Sequence, residues 1–393
     1  MAYRPFFQQN TVIMNSRYYL LVTALLYTSI VVYAQQPTRP ARENADSVLA
    51  LIRRVNQHWQ DTHSPQVHAF WDQAAYQSAN MDVFAVTGDS SCIHYAEAWA
   101  VYNQWMGAKS SDTTQWKYTY GETDEYVLFG DWQICFQTYI DLYKRKPDPI
   151  KVERAKQVMA HQINTSFSGY WWWADGLYMS MPVMTRMYKL TGDRRYLSKL
   201  YDYFRFADSL MYDPAEKLYY RDAKYLYPAH RTSAGKKDFW SRGNGWVIAA
   251  LAKVLEALPK NDPHRSLYLN RYKGMAAALK HCQQPDGYWT RSLIDPAQAP
   301  GFESSGTSFF TYGILWGIHH GILPVKEYLP VVNKSWRSLL ATALQSDGNI
   351  GYVQPIGEKA IPGQVVNQQS VTPFGTGAFL LAACELYRWL KKK

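Results

Sequence analysis

The sequence predicts an all-α protein folded as an (α/α)6 toroid, a six-hairpin barrel, on three observations. From Ala45 onward, twelve stretches carry apolar residues at helical spacing with little β-type alternation. These stretches alternate along the chain between amphipathic ones and ones that are apolar nearly all round. A short turn ties each apolar stretch to the amphipathic one after it, whereas the connections the other way are long and rich in Gly, Trp and Tyr. Six such hairpins bury their apolar members only by closing into a ring, apolar helices inside and amphipathic helices outside.

The elements follow in order. Residues 1–34 stand outside the pattern: Arg17 precedes an apolar run from Tyr18 to Val32, and Val32-Tyr33-Ala34 presents small or apolar residues where a signal peptidase reads. The expectation is a secretory signal peptide cut near Ala34, with Met14 as an alternative start. A run of about 15 to 17 apolar residues is short for a membrane span, so no stable anchor is expected. Residues 35–393 are then one domain, exported to the periplasm or the medium. Outer helices are expected over roughly 45–60, 89–106, 148–164, 193–211, 263–283 and 324–344. Inner ones are expected over 72–87, 131–145, 175–191, 244–258, 305–320 and 373–389. Thr87-Gly88-Asp89 and Thr191-Gly192-Asp193 each end one helix on Gly and cap the next with Asp. Lys146-Pro147-Asp148-Pro149 and Lys260-Asn261-Asp262-Pro263 add a Pro that tolerates only a first turn.

Composition narrows the function. With 31 Tyr and 15 Trp the chain holds more amphipathic rings than a core needs, and surplus rings of this kind stack on flat or ring-shaped ligands, carbohydrate first. The leader segment carries Arg4 and Arg17 and no acid, so its removal takes the formal charge from +10 to +8. Such a balance attracts polyanions. Lys and Arg are scattered and no nucleic-acid-binding pattern appears, so an acidic oligosaccharide is the expected partner and nucleic acid is not. Cys92, Cys135, Cys282 and Cys384 are widely spaced, which reads as buried free thiols, with one disulfide as the alternative.

A ring of parallel inner helices opens all their N-termini at one end, so the chemistry belongs there. Those positions hold Trp71-Asp72, Gly130-Asp131-Trp132, Trp171-Trp172-Trp173-Ala174-Asp175-Gly176, Trp240-Ser241-Arg242-Gly243-Asn244-Gly245-Trp246 and Glu303-Ser304-Ser305-Gly306-Thr307. Each acid alone reads as a helix cap, and the convergence of five segments is what favours a site. Packing against Trp171 to Trp173, with Asp131 as neighbour, raises the pKa of Asp175 against the stabilising helix N-terminus, as a proton donor requires. Arg242 offers a planar fork for a substrate carboxylate.

These blocks, with Gln137-Thr138-Tyr139 and Asp286-Gly287-Tyr288-Trp289, resemble the unsaturated glucuronyl and rhamnogalacturonyl hydrolases, glycoside hydrolase families 88 and 105, over roughly 45–390. Order and spacing are more similar to the family 105 side. The resemblance implies an (α/α)6 fold and a cofactor-free, metal-free reaction downstream of a polysaccharide lyase. A 4,5-unsaturated uronic acid is removed from the non-reducing end by hydrating the C4=C5 bond. By motif position Asp175 would be the acid, and Asp131 would hold ring hydroxyls and raise the pKa of Asp175. Trp173 would stack on the ring, with Trp240, Arg242 and Trp246 lining the pocket. The parent polymer is expected to be pectic, rhamnogalacturonan first, with ulvan-type and glycosaminoglycan fragments as alternatives.

One departure stands out. Where many members carry a catalytic His, this chain reads Leu218-Tyr219-Tyr220-Arg221-Asp222. Arg221 or Asp222 is expected to replace that contact, with His230 a weaker candidate. Glu303 is a pocket candidate whose plain alternative is capping. Tyr76 and Asn80 face either the barrel or the core, and His319-His320 belongs to the closed end. Two other functions stay open: an ordinary acid/base glycosidase on a saturated sugar, and a non-catalytic carbohydrate-binding protein.

Overall fold

A computed structural model describes Met1 and residues 44–392, so the expected apolar leader run and the expected cut near Ala34 lie outside the described residues. Twelve α-helices follow one another: α1 Ala45–Thr62, α2 Trp71–Thr87, α3 Ser90–Tyr102, α4 Cys135–Arg145, α5 Ile150–Ile163 and α6 Ala174–Thr191. The second half holds α7 Arg195–Met211, α8 Ser241–Ala257, α9 Arg265–Cys282, α10 Ser304–His319, α11 Val325–Ser338 and α12 Pro373–Lys392. A π-turn, Leu339–Ala343, prolongs α11. One small antiparallel pair, β1 Tyr212–Asp213 with β2 Leu218–Tyr219, interrupts the helical pattern between α7 and α8.

The even-numbered helices close a ring in which α2 packs on α4, α4 on α6, α6 on α8, α8 on α10, α10 on α12 and α12 back on α2. Burial explains why. In α8 every residue from Ser241 to Leu255 is buried, and in α10 every residue from Ser304 to Ile318. Neither helix has a face to give to water. The odd-numbered helices are one-sided: α1 buries Val48, Ile52, Val55 and Trp59, one stripe at helical spacing. At the seam a Cβ on Gly377 of α12 would come within 3.1 Å of the α2 backbone at Ala75 and Tyr76. A side chain there would push the first and last hairpins apart.

The turns form as expected. Gly88 and Gly192 end α2 and α6 in the left-handed region, at φ 68° and 74°. The carboxylates of Asp89, Asp193, Asp148 and Asp262 accept the backbone N–H groups of Ser91, Arg195, Ile150 and His264. Asp131 departs from expectation: it sits on a separate 3-10 turn, Gly130–Trp132, and α4 begins only at Cys135. All four cysteines are free thiols.

At the ring end opposite the inner-helix N-termini, α2, α8 and α12 are joined by charge. Asp82 receives Lys253 Nζ at 3.2 Å and Arg388 NH2 at 2.8 Å. Burial opposes ionisation of Asp82, but the two cations outweigh it and hold the carboxyl well below the usual carboxylate range. Asp82→Ala strands a buried Lys253 and should lower stability by about 3 kcal/mol, read by chemical denaturation. As the folded-state pKa is depressed, the wild-type advantage should fade as pH falls below about 4.

Candidate active site

A cavity of about 530 Å³ opens at the predicted end of the ring. His68, Trp71 and Asp72 line it from the start of α2, Tyr120, Glu122 and Asp131 from the connection into α4, and Trp172, Trp173, Asp175 and Met179 from the start of α6. Arg221 and Lys224 line it from the connection into α8, and Ile356, Gly357 and Glu358 from the connection into α12. Three of the five expected segments therefore meet here, and two other loops complete the wall.

Asp131 and Asp175 form its floor. Asp131 is 5% exposed, and its Oδ1 has no hydrogen-bond partner. Oδ2 of Asp175 is equally unpartnered, with the nearest cation, Arg221 Nε, 3.5 Å away. Asp175 Oδ2 and Arg221 Nε lack hydrogen bonds but face each other, Asp72 Oδ1 lies 3.7 Å from His68 Nδ1, and Asp131 Oδ1 is left free to meet a polar ligand. Burial pushes the Asp131 carboxyl well above its ordinary range, the Asp175 charge adds to this, and Arg221 opposes it. Asp175 is also raised by burial, while Arg221 and Arg242 pull it back. Asp72 is raised for the same first reason.

Trp173 is placed differently from expectation. It is 1% exposed, stacked on Phe129 at 4.6 Å and wedged against Gly176, where a Cβ would lie 2.9 Å from its ring. It fixes the floor, and the partly exposed ring beside it is Trp172, with the Arg221 guanidinium 5.8 Å from its centroid.

The Trp240–Trp246 and Glu303 blocks do not line the cavity. Arg242 donates to the carbonyls of Gln354 and Pro355 at 2.6 and 2.8 Å, so its fork is occupied by backbone. Trp240 Nε1 donates to the Gln354 side chain at 2.8 Å, and Glu303 accepts the Gln354 N–H at 3.1 Å while capping α10 through Ser305 and Gly306. Three of the expected pocket residues thus clamp one glutamine, which sets the stem of the loop carrying Glu358. Trp246 is fully buried among Trp71, Tyr178 and Phe309. The reason is geometric: the 219–225 and 354–358 loops lie between these helix starts and the cavity.

Arg221 does reach the cavity, and Asp222 holds it there. Asp222 is 2% exposed, accepts Arg221 NH1 at 2.5 Å and the Lys224 N–H at 2.7 Å, and pairs its backbone with Trp173. Asn244 binds both backbone groups of Tyr219, and Ala174 N–H donates to the Arg221 carbonyl at 2.7 Å. The Arg-Gly-Asn-Gly-Trp block therefore acts on the site through two loops.

His230 is elsewhere, paired with Asp238 at 2.8 Å. Tyr76 donates to Asn56, and Asn80 accepts from it, so both belong to the core. His319 and His320 lie at the far end with Glu385, the one grouping with metal-ligand spacing among the described residues. Arg388 and His319 already share that carboxylate. Sequence reasoning missed Tyr120, Glu122, Lys224, Ile356 and Glu358, which lie on loops without periodicity. The net basic charge is not concentrated in the cavity, where five carboxyl groups face two permanent cations.

Comparison with known proteins places this geometry among relatives. Residues 45–390 match Glycosyl Hydrolase Family 88. An unsaturated 3S-rhamnoglycuronyl hydrolase of Formosa agariphila is 30% identical over 372 residues, covering 92% of this chain and 94% of that protein. A solved family 88 glycosyl hydrolase from Bacteroides vulgatus is 58% identical, with TM-score 0.87 over 88% of this chain and 100% of its own. A solved structure described as a polysaccharide lyase is 54% identical, with TM-score 0.87 over 89% and 99%.

A floor of this kind costs stability. With its pKa raised, Asp131 keeps a proton in the folded chain that the unfolded chain has released, so stability falls as pH rises from about 4 through the raised value. Asp131→Asn should melt above wild type at neutral pH in a calorimeter, and the gap should close below about pH 4.

Proposed function

The chain belongs to glycosyl hydrolase family 88, and from that premise and the paired carboxyls we propose how it works as a glycosidase-class hydrolase. It removes a 4,5-unsaturated uronic acid from lyase-generated oligosaccharides. The observation that carries the mechanism is the pair of raised carboxyls open to the cavity, Asp131 buried and Asp175 with 13% of its side chain exposed. Such a pair retains a proton towards neutral pH.

Asp175 is assigned as the donor because it flanks Arg221, and the reacting C4=C5 bond lies next to the substrate's own carboxylate. Its proton goes to C4, leaving an oxocarbenium-like cation at C5 stabilised by the ring oxygen. Water adds at C5 and loses a proton to the Asp175 carboxylate. The hemiketal opens and expels the remaining sugar. Asp131 holds ring hydroxyls, while burial makes Asp175 hard to ionise. Trp172 supplies the exposed ring face.

We place the leaving sugar between Tyr120 and Ile356, which are 59% and 65% exposed at the mouth. Two exposed apolar surfaces fit a deoxy sugar such as rhamnose, in support of a pectic rhamnogalacturonan fragment. The Formosa agariphila relative, a rhamnoglycuronyl hydrolase, favours a rhamnose-linked glucuronyl fragment as a second reading. Export to the periplasm or medium remains our reading of the leader segment. No helix among the described residues is long and apolar enough to cross a membrane.

The ultraviolet absorbance of the conjugated C4=C5 bond should fall when the protein meets lyase digests of pectin or ulvan, with the faster digest naming the parent. A rise on intact polymer would instead mean β-elimination, the activity in the description of one structural neighbour. Asp175→Asn should abolish turnover while leaving affinity within a few-fold, and unchanged turnover would remove it from the mechanism. Arg221→Met removes a cation that lowers both carboxyls, so the alkaline limb of the rate profile should move to higher pH while KM rises.

A further inference from the structure

Three donors from one loop converge on a carboxylate of another. Lys224 Nζ lies 2.9 Å from Glu358 Oε2, Tyr225 Oη lies 2.7 Å from Oε1, and Arg221 NH1 lies 3.3 Å from Oε2. The donors and the acceptor are more than 130 residues apart in sequence, as the separation of 133 between Tyr225 and Glu358 shows. A planar guanidinium, an ammonium and a phenol around one carboxylate make a complete carboxylate receptor.

Its position is tied to the chemistry. The Arg221 guanidinium has Asp175 on its Nε edge and Glu358 on its NH1 edge. In an unsaturated uronic acid the carboxylate carbon is two bonds from C4. A substrate whose C4 is within reach of Asp175 therefore has its carboxylate close enough to meet the same guanidinium, where the Glu358 carboxylate sits. Buried Asp222 holds the same NH1 at 2.5 Å, so the cation stays in place whichever carboxylate faces it. Arg242, the other guanidinium of this region, gives NH1 and NH2 to the Gln354 and Pro355 carbonyls and does not line the cavity.

We propose that Arg221, Lys224 and Tyr225 form the receptor for the substrate's carboxylate and that Glu358 is an internal stand-in which substrate displaces. This inference rests on the hydrolase reading above. Displacement asks little of the fold. The stem of the loop is fixed at Gln354, whose side chain also binds the Lys359 carbonyl at 2.8 Å. Glu358 itself is 41% exposed, so rotation about its side-chain bonds frees the receptor without moving the backbone. A Cβ on the preceding Gly357 would meet only the Pro355 carbonyl, at 3.7 Å, so the tip has room. The stand-in gives selectivity. A tethered carboxylate competes at an effective concentration in the millimolar range, so free small carboxylates are turned away. A uronic acid that also gains the ring contacts of the cavity is admitted.

The test compares wild type with Glu358→Gln and Glu358→Ala on the lyase-generated oligosaccharide that wild type hydrolyses fastest. Glu358→Gln should lower KM by about tenfold, the factor expected if the stand-in fills the receptor about nine-tenths of the time. Acetate at millimolar concentration should become a competitive inhibitor of Glu358→Ala and leave wild type unaffected. A KM that rises or stays level in Glu358→Gln, with no acetate inhibition of Glu358→Ala, overturns the proposal and makes Glu358 a substrate contact or a brace. Calorimetric titration with glucuronate separates this from failure of the hydrolase reading. Tighter binding by Glu358→Gln than by wild type upholds the receptor even if no digest is hydrolysed, and equal or weaker binding rejects it. Circular dichroism confirms that each variant is folded before it is scored.

Discussion

Six helices without a polar face must bury one another, and most of this structure follows from that. A helix such as α10, buried from Ser304 to Ile318, is stable in water only with neighbours on all sides. The arrangement that supplies them to six such helices at once is a closed ring, each inner helix flanked by two others and backed by the outer ones. With every inner helix running the same way, their leading ends and the loops feeding them share one mouth. The paired carboxyls Asp131 and Asp175 stand at that mouth because the packed middle of the ring is apolar.

The mouth is built in two tiers. Asp131, Asp175, Trp172, Arg221, Lys224 and Glu358 face the cavity. Behind them Asn244 fixes Tyr219, Asp222 fixes Arg221, and Trp240, Arg242 and Glu303 together fix Gln354. The supporting tier is buried and its principal bonds are direct, so the cavity wall is positioned by rigid helix starts even though the wall itself is loop. A single substitution at Asn244 or Gln354 is therefore felt by a loop it does not belong to.

The fold was legible because its signals are periodic. Helical spacing, Gly-Asp turns and the strict alternation of two helix classes are local, and each local choice agrees with the ring. The floor was legible for a different reason: Asp131 and Asp175 sit in Trp-rich blocks at element boundaries. What failed was the step from conspicuous motif to direct contact. Arg242 and Trp240 stand out in sequence yet serve the Gln354 stem, and Trp173 reaches the cavity wall with only 1% of its surface exposed. Lys224 and Glu358 lie in stretches with no period and come together across 134 residues, which no local pattern records. Arg221 was found because it occupies a place where another residue type was expected.

The seam between α12 and α2 bears on how the molecule is made. The first hairpin has one flank of α2 and part of the stripe of α1 covered by α12, which follows the other eleven helices in the sequence. During synthesis that flank stays bare until residues 373–392 have emerged. The ring closes only once all twelve helices are present, and closing it joins the first hairpin to the twelfth helix, the kind of long-range contact that slows folding. Any pause, nick or premature stop before Pro373 leaves eleven helices with an open apolar edge, a substrate for chaperones and proteases rather than a partly working enzyme.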